Sequence, residues 1–452
     1  EFMPIKKSLF IIGWVCLTLL PIHAIFNWLF EGTPLVIWKQ LLFFVFNSLA
    51  FYYLFFIQKS THLKSLGSKE WLSLKLLVLM MLSSILLMVF LAFVYNFTVY
   101  RIVYSAIAYI GFIGAISFVL LVVEKDRLFN LFLFVSLLSF FSCMGLVLDY
   151  FYDFLYFLPI SHGLTMEMEM EMEGYLRRSS FLFGTSTVVL PFIGMGLVFV
   201  TILAIVYKAY RYDLFYFVYM MISLFGVFLT GSRTQFILYC FLLLISYIVF
   251  FTKRHLAGIS SFFVMLILFI YVFDGMFSFF DAEQLKIIIT RYINPLDATE
   301  AGNNTRFDSW LLGIKSITEM DFTQIFGVGL GSSFGMINDG RSSTGHFESS
   351  LLMVLHNTGL LGAIVYFSPL IFALYYLIIK RIKNSFLKIL IFSWFLIYSI
   401  SILVAPSIFN YHISLSFFIM VGLSLIIVDV DKMVYLTSRN HSRKNKKVSE
   451  YV

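Results

Sequence analysis

Twelve apolar stretches, each long enough to cross about 30 Å of hydrocarbon as a helix, constrain this chain more than anything else in it. They fall at about residues 8–30, 38–57, 72–96, 102–123, 128–148, 181–207, 214–230, 234–252, 259–279, 348–379, 386–404 and 408–428. A backbone in lipid must satisfy its own hydrogen bonds, and continuous apolar runs of this length do so as helices. Composition agrees: 60% of the 452 residues are hydrophobic, 13% are charged and 55 are Phe. No soluble core of this length hides so much apolar surface. The expected fold is therefore an all-α polytopic membrane protein with about 12 transmembrane helices.

An even number of spans puts both termini on one side. With that side cytoplasmic, the inner connections hold Lys6/Lys7, Lys59/Lys64/Lys69, Lys125/Arg127, Lys208/Arg211, Lys253/Arg254 and Lys380/Arg381/Lys383. The tail adds Lys432, Arg439, Arg443, Lys444, Lys446 and Lys447. Every inner connection is basic, as the positive-inside rule requires. The formal charge of +7 is thus a topology signal, with some anionic-lipid attraction at the tail, and nucleic acid is not an expected partner. The stretch after Met3 is too long for a signal-peptide core and lacks a small-residue cleavage site, so it is expected to be retained as the first span. Cys16, Cys143 and Cys240 all lie in apolar stretches and offer neither a disulfide framework nor a metal spacing.

The expected organisation has four parts. Residues 3–279 carry spans 1–9 with an outer loop at about 149–180, and residues 280–347 form a large outer loop. Residues 348–428 carry spans 10–12, and residues 429–452 form a basic tail. Long ordered loops on one face are usually functional. Within the first, MEMEMEME at residues 166–173 is a low-complexity tract with no direct function expected.

Arginine at a membrane boundary tends to face a partner or a water-filled cavity. In Thr230-Gly231-Ser232-Arg233-Thr234-Gln235, Arg233 either snorkels from a tight turn or clamps an anion at a donor-rich helix N-terminus. Arg291, Arg306 and the pair Arg177-Arg178 add cations on the same face; the pair serves either to bind lipid phosphate or to mark an interface. Trp310, at amphipathic spacing with Leu311, Ile314 and Ile317, is expected to pack or to sit at the interface rather than to act in catalysis. Phe326-Gly-Val-Gly-Leu-Gly331 resembles a phosphate-cradling loop, but no Gly-Lys-Ser/Thr ending follows it.

No metal is expected. The only Asp-x-Asp pair, Asp429 and Asp431, falls at the cytoplasmic end of the last span and reads as a helix-end feature. His346, Glu348 and His356 lack metalloprotease spacing, and Glu348 to His356 is about 12 Å of helical rise. His356 is expected to be a satisfied polar group of its helix. What remains is several arginines with a carboxylate or imidazole. That set suits transfer of a group from an anionic leaving group such as a diphosphate, which Arg grips with a bidentate fork while a positioned base deprotonates the incoming hydroxyl.

The ordered set Thr230-to-Arg233, Arg306 with Trp310, Phe326-to-Gly331 and Glu348-to-Gly362 resembles the O-antigen polymerases (Wzy-type) and O-antigen ligases of bacterial envelopes. The resemblance covers roughly residues 225–365. It implies a type C glycosyltransferase-like fold. It also implies a glycosyltransferase without a cofactor, working on the periplasmic face of the inner membrane with both termini cytoplasmic. Such an enzyme joins undecaprenyl-diphosphate-linked oligosaccharide donors and acceptors. Membrane lipids and a chain-length regulator protein are the further partners implied. The ligase branch carries a pattern H-N-x-x-L-x-x-L-x-x-x-G-L-x-G. Anchored on Gly359-Leu-Leu-Gly362, its His position falls on Glu348 and its Asn position on Ser349. That departure favours polymerase over ligase. By resemblance, Arg233 and Arg306 hold the donor diphosphate with Arg291 or Arg178 assisting, and Glu348 serves the acceptor, with His346 a rival base. A transporter of the same lipid-linked sugar is the alternative from another class. Ionisable residues sitting at span ends argue against it, with Asp274 the exception.

Overall fold

The computed structural model describes residues 3–22, 26, 29–30, 33, 38–57, 68–94, 102, 110–152, 189–230, 232–254, 325–327, 329, 349–404 and 411–449. Its principal elements are helices: α1 (Met3–Leu19), α2 (Trp38–Tyr52), α3 (Ser68–Val94), α4 (Gly114–Glu124), α5 (Leu128–Tyr152) and α6 (Leu190–Tyr207). After them come α7 (Tyr210–Leu229), α8 (Arg233–Lys253), α9 (Ser350–Ile379), α10 (Ser385–Val404), α11 (Tyr411–Leu425) and α12 (Ile427–Ser449).

Among the described residues, 8 helices are long and apolar enough to cross a membrane, or 9 if the bent pair Ile413–Leu425 and Ile427–Ser438 is one span. Eight of the expected stretches coincide with those helices, and the stretch 408–428 coincides with α11 and the start of α12. Stretches 8–30 and 102–123 hold α1, of 17 residues, and α4, of 11. The stretch 259–279, and most of both expected outer loops, lie outside the described residues.

The bundle is organised around α6. Its sequence, LPFIGMGLVFVTILAIVY, is apolar on every side, and every residue from Leu190 to Val206 is buried, as a helix without a polar face must be. It packs against α5, α7, α8, α10, α11 and α12. Lipid contributes no hydrophobic drive between helices, so close packing and interhelical hydrogen bonds hold them. Ser139 Oγ meets Tyr219 Oη at 2.6 Å, and that hydroxyl donates to Ile193 O at 2.7 Å, joining α5, α7 and α6. Thr201, Ser246 and Tyr216 join α6, α8 and α7 through contacts of 2.6 and 3.2 Å. The Trp394 indole of α10 donates to Pro191 O of α6 at 2.9 Å.

The basic connections gather at one end. Lys6 pairs with Glu124 at 2.9 Å. Lys125 and Arg127 lie over the Phe10 ring, where burial and then the Arg127 charge hold the Lys125 ammonium below its usual range. Phe129 meets Tyr207, which stacks on Tyr212, and Arg254 pairs with Asp213. At the α9–α10 turn, Asp431 accepts hydrogen bonds from Lys383 N, Asn384 N and Asn384 Nδ2 at 2.8, 3.0 and 2.7 Å. The Asp-x-Asp pair is thus a helix-end feature, as its position suggested. Asp431 supplies a negative charge to the N-terminus of α10.

Candidate functional site

The starts of α6, α8 and α9 lie at the end opposite these basic connections. The α7–α8 turn is tight because its own side chains close it. Thr230 Oγ1 donates to Val227 O at 2.7 Å and accepts from Ser232 N at 3.4 Å. Gln235, 3% exposed, accepts from Leu190 N at 3.3 Å and so satisfies one of the orphan amides at the start of α6. Arg233 is the first residue of α8, preceded by an extended Ser232. It therefore stands where unpaired amides and the positive end of the helix dipole gather.

The second part of the site is the start of α9. Ser349 is extended, and its Oγ accepts from Leu352 N at 3.5 Å as an N-cap. Ser349 and Ser350 are fully buried. Two turns later the helix breaks: Gly359 has φ 63° and ψ −175°. The sequence suggested an unbroken run here. The break strips Asn357 O of its partner in the helix, and the amide of Gly329 replaces it at 3.0 Å. A buried carbonyl left unpaired would cost about 1–3 kcal/mol.

Three glycines with positive φ make that contact possible. A Cβ on Gly327 (φ 82°) would lie 2.3 Å from Asn357 O, and one on Gly359 would lie 2.4 Å from Ile325 O. A Cβ on Gly329 (φ 92°) would lie 2.5 Å from Ala92 N in α3. The backbone at residues 325–327 and 329 is thus clamped between the break in α9 and the end of α3. Phe326-Gly-Val-Gly-Leu-Gly331, which resembles a phosphate loop in sequence, has its Gly329 amide committed to Asn357. At these positions it is a packing device. The Gly-Leu-Leu-Gly pattern divides the same way. Gly362 approaches Thr358 and the Ser84 hydroxyl of α3, whereas Leu360 and Leu361 are exposed.

Of the candidate residues, the structure places the Arg233 backbone at the head of α8 and fixes the residue that follows Glu348. Glu348, His346, Arg306, Arg291 and Arg178 lie outside the described residues, as does the side chain of Arg233. His356 is half-buried within the first segment of α9. Sequence reasoning missed the interlock of Gly327, Gly329 and Gly359. Its signal was present as glycines in two separated segments, which nothing in one sequence pairs.

A bundle of long apolar helices around a fully buried central one defines an all-α, multi-pass membrane protein. Residues 218–367, 150 of the 452, match the family model described as O-Antigen ligase, so this part of the chain is similar to that family. The matched segment runs from α7 through α8 and the glycine clamp to the second segment of α9. It contains every candidate site residue except Arg178. No curated protein and no solved structure matches the chain at a significant level.

Proposed function

We propose that this protein polymerises undecaprenyl-diphosphate-linked oligosaccharide repeats into O-antigen or a related surface polysaccharide. The transfer is metal-independent and occurs at the periplasmic face of the inner membrane, with the basic end and both termini cytoplasmic. The observation that carries the reading is the family match across residues 218–367, taken with the register at α9. Gly359 and Gly362, held by packing, anchor a pattern that puts Glu348 where the ligase branch has histidine.

In this mechanism Arg233 and Arg306 grip the donor diphosphate, with Arg291 or Arg178 assisting. Glu348, or His346 in its place, accepts the proton of the acceptor hydroxyl. That oxygen bonds to the anomeric carbon of the donor sugar as the carbon–oxygen bond to diphosphate breaks. Polyprenyl diphosphate departs with the electron pair, its charge held by the arginines.

The family description itself favours a second reading, transfer of finished polymer to lipid A core. Purified protein incubated with a lipid-linked repeat alone decides between them. A ladder of longer lipid-linked glycans, lost in Arg233→Ala and in Arg306→Ala, is the polymerase result. Product formed only when lipid A core is added is the ligase result. Movement of the sugar across vesicle membranes without bond formation would defeat both. Full activity in Glu348→Gln would remove Glu348 from the mechanism.

A further inference from the structure

The last helix is the largest feature that the transfer reaction leaves unused. α12 leaves α11 at a bend of 78°. Membrane spans tilt by about 20° on average, so a helix bent this far runs nearer the membrane plane than its normal. Its first turns are anchored to the bundle. Val430 and Val434 are buried, α12 packs on α6, and Asp431 binds the start of α10. Lys383 Nζ lies 4.6 Å from the centroid of the Tyr435 ring.

The free face has the composition of an interface. Tyr435 and Leu436 are exposed at 40% and 45%, beside an exposed Lys432 and with the exposed Lys383 of the α9–α10 turn over the Tyr435 ring. From Lys432 to Ser449 the sequence holds six Lys and Arg residues and no Asp or Glu. Asp429 and Asp431 are buried, so they do not face outward to offset that charge.

We propose that α12 is an interfacial helix whose basic stretch, Lys432 to Lys447 in sequence, binds anionic phospholipid in the leaflet it lines. Tyr435 and Leu436 sit at the boundary between headgroups and acyl chains. Helices with a basic face and a modest apolar face lie in this way, held by apolar burial together with attraction to anionic headgroups. The anchoring on α6 keeps the free face at the lipid surface, which favours lipid over a soluble polyanion. Each basic residue near an anionic surface strengthens membrane association about fivefold. The lipid site is independent of the identity of the sugar or acceptor.

The test uses the full chain in nanodiscs, with Leu436→Cys carrying a polarity-sensitive fluorophore in a Cys240→Ser background. In discs containing phosphatidylglycerol, emission shifts to the blue relative to discs of phosphatidylcholine alone. The shift collapses when salt is raised to about 1 M, where screening acts within about 3 Å. Unlabelled wild-type protein, which needs no substitution, is cleaved by trypsin after Arg439 to Lys447 about tenfold or more slowly in the anionic discs. Neutralising Arg439, Arg443, Lys444, Lys446 and Lys447 to Gln abolishes the blue shift while the thermal midpoint stays at the wild-type value. Equal emission and equal cleavage in the two kinds of disc would overturn the proposal. So would a blue shift that survives both high salt and neutralisation, or protection conferred by a short duplex DNA in discs of phosphatidylcholine alone.

Discussion

At Gly327 a single hydrogen replaced by a methyl group collides with a carbonyl oxygen, and the backbone there is left-handed. The two effects are separable in principle. A non-glycine residue held at strained φ/ψ costs about 1–3 kcal/mol, and overpacking costs about as much again. Gly327→Ala is therefore expected to lower the thermal unfolding midpoint sharply in detergent, and Gly359→Ala to do the same, because each glycine faces the other's backbone. Gly194→Ala supplies the contrast. Its nearest neighbour is a methyl carbon of Leu242 at 3.0 Å, a side chain that can give way, and the site lies inside α6. There the helix gains about 0.5–1 kcal/mol from replacing glycine, so the midpoint should move little. A Gly327→Ala protein as stable as wild type would show that segment 325–329 is not clamped to α9. Tyr219 poses a smaller question. Tyr219→Phe removes the bonds to Ser139 and Ile193 O, and interhelical bonds in membranes average about 0.6 kcal/mol. A modest fall in the midpoint is expected, with the protein still folded and monodisperse by size-exclusion chromatography.

Among elements, the turn between α9 and α10 shows how a charge near a membrane acquires a structural task. Asp431 accepts three hydrogen bonds there and stands at a helix N-terminus. Removing such a cap costs about 0.5–2 kcal/mol. Asp431→Ala should lower the thermal midpoint and raise hydrogen exchange at the amides of Lys383 and Asn384, while exchange in α6 changes little. Unchanged exchange at those two amides would contradict the capping role. Asp431 was readable as a helix-end residue because its position follows directly from counting spans. The spans themselves were readable because length and hydropathy decide them locally. The break at Gly359 was not, since LHNTGLLG is apolar enough to continue a helix and only the distant backbone of residues 325–329 favours the break. The same limit hid the role of Gly327 and Gly329. Glycine-rich sequence states that a backbone comes close to something; whether that is a phosphate or another backbone is a tertiary fact. Of the candidate site, the start of α8 at Arg233 was readable from its turn chemistry. Arg306 and Glu348 lie outside the described residues.

For the whole molecule, the decisive property is that the ends of the bundle differ. Lys6, Lys125, Arg127, Arg254, Lys380 and Lys383 belong to one end, tied together by Glu124, Phe10, Asp213 and Asp431. Arg233 and the start of α9 belong to the other. Basic loops are retained in the cytoplasm during insertion, and the proposed reaction requires the arginine end outside, where the lipid-linked repeats would be joined. Two positions report this directly. Asp126 is exposed in the α4–α5 turn at the basic end, and Ser232 is half-buried in the α7–α8 turn at the other. Cys16 and Cys143 are buried and Cys240 is half-buried, so a Cys240→Ser background should be nearly silent towards a membrane-impermeant maleimide. In intact spheroplasts Ser232→Cys is expected to label, whereas Asp126→Cys should label only after the membrane is permeabilised. The reverse pattern would place Arg233 in the cytoplasm, away from any periplasmic acceptor. It would defeat the proposed reaction while leaving the fold intact. Labelling at both positions in intact spheroplasts would mean that the two turns share a side, which contradicts the helix order from α4 to α8.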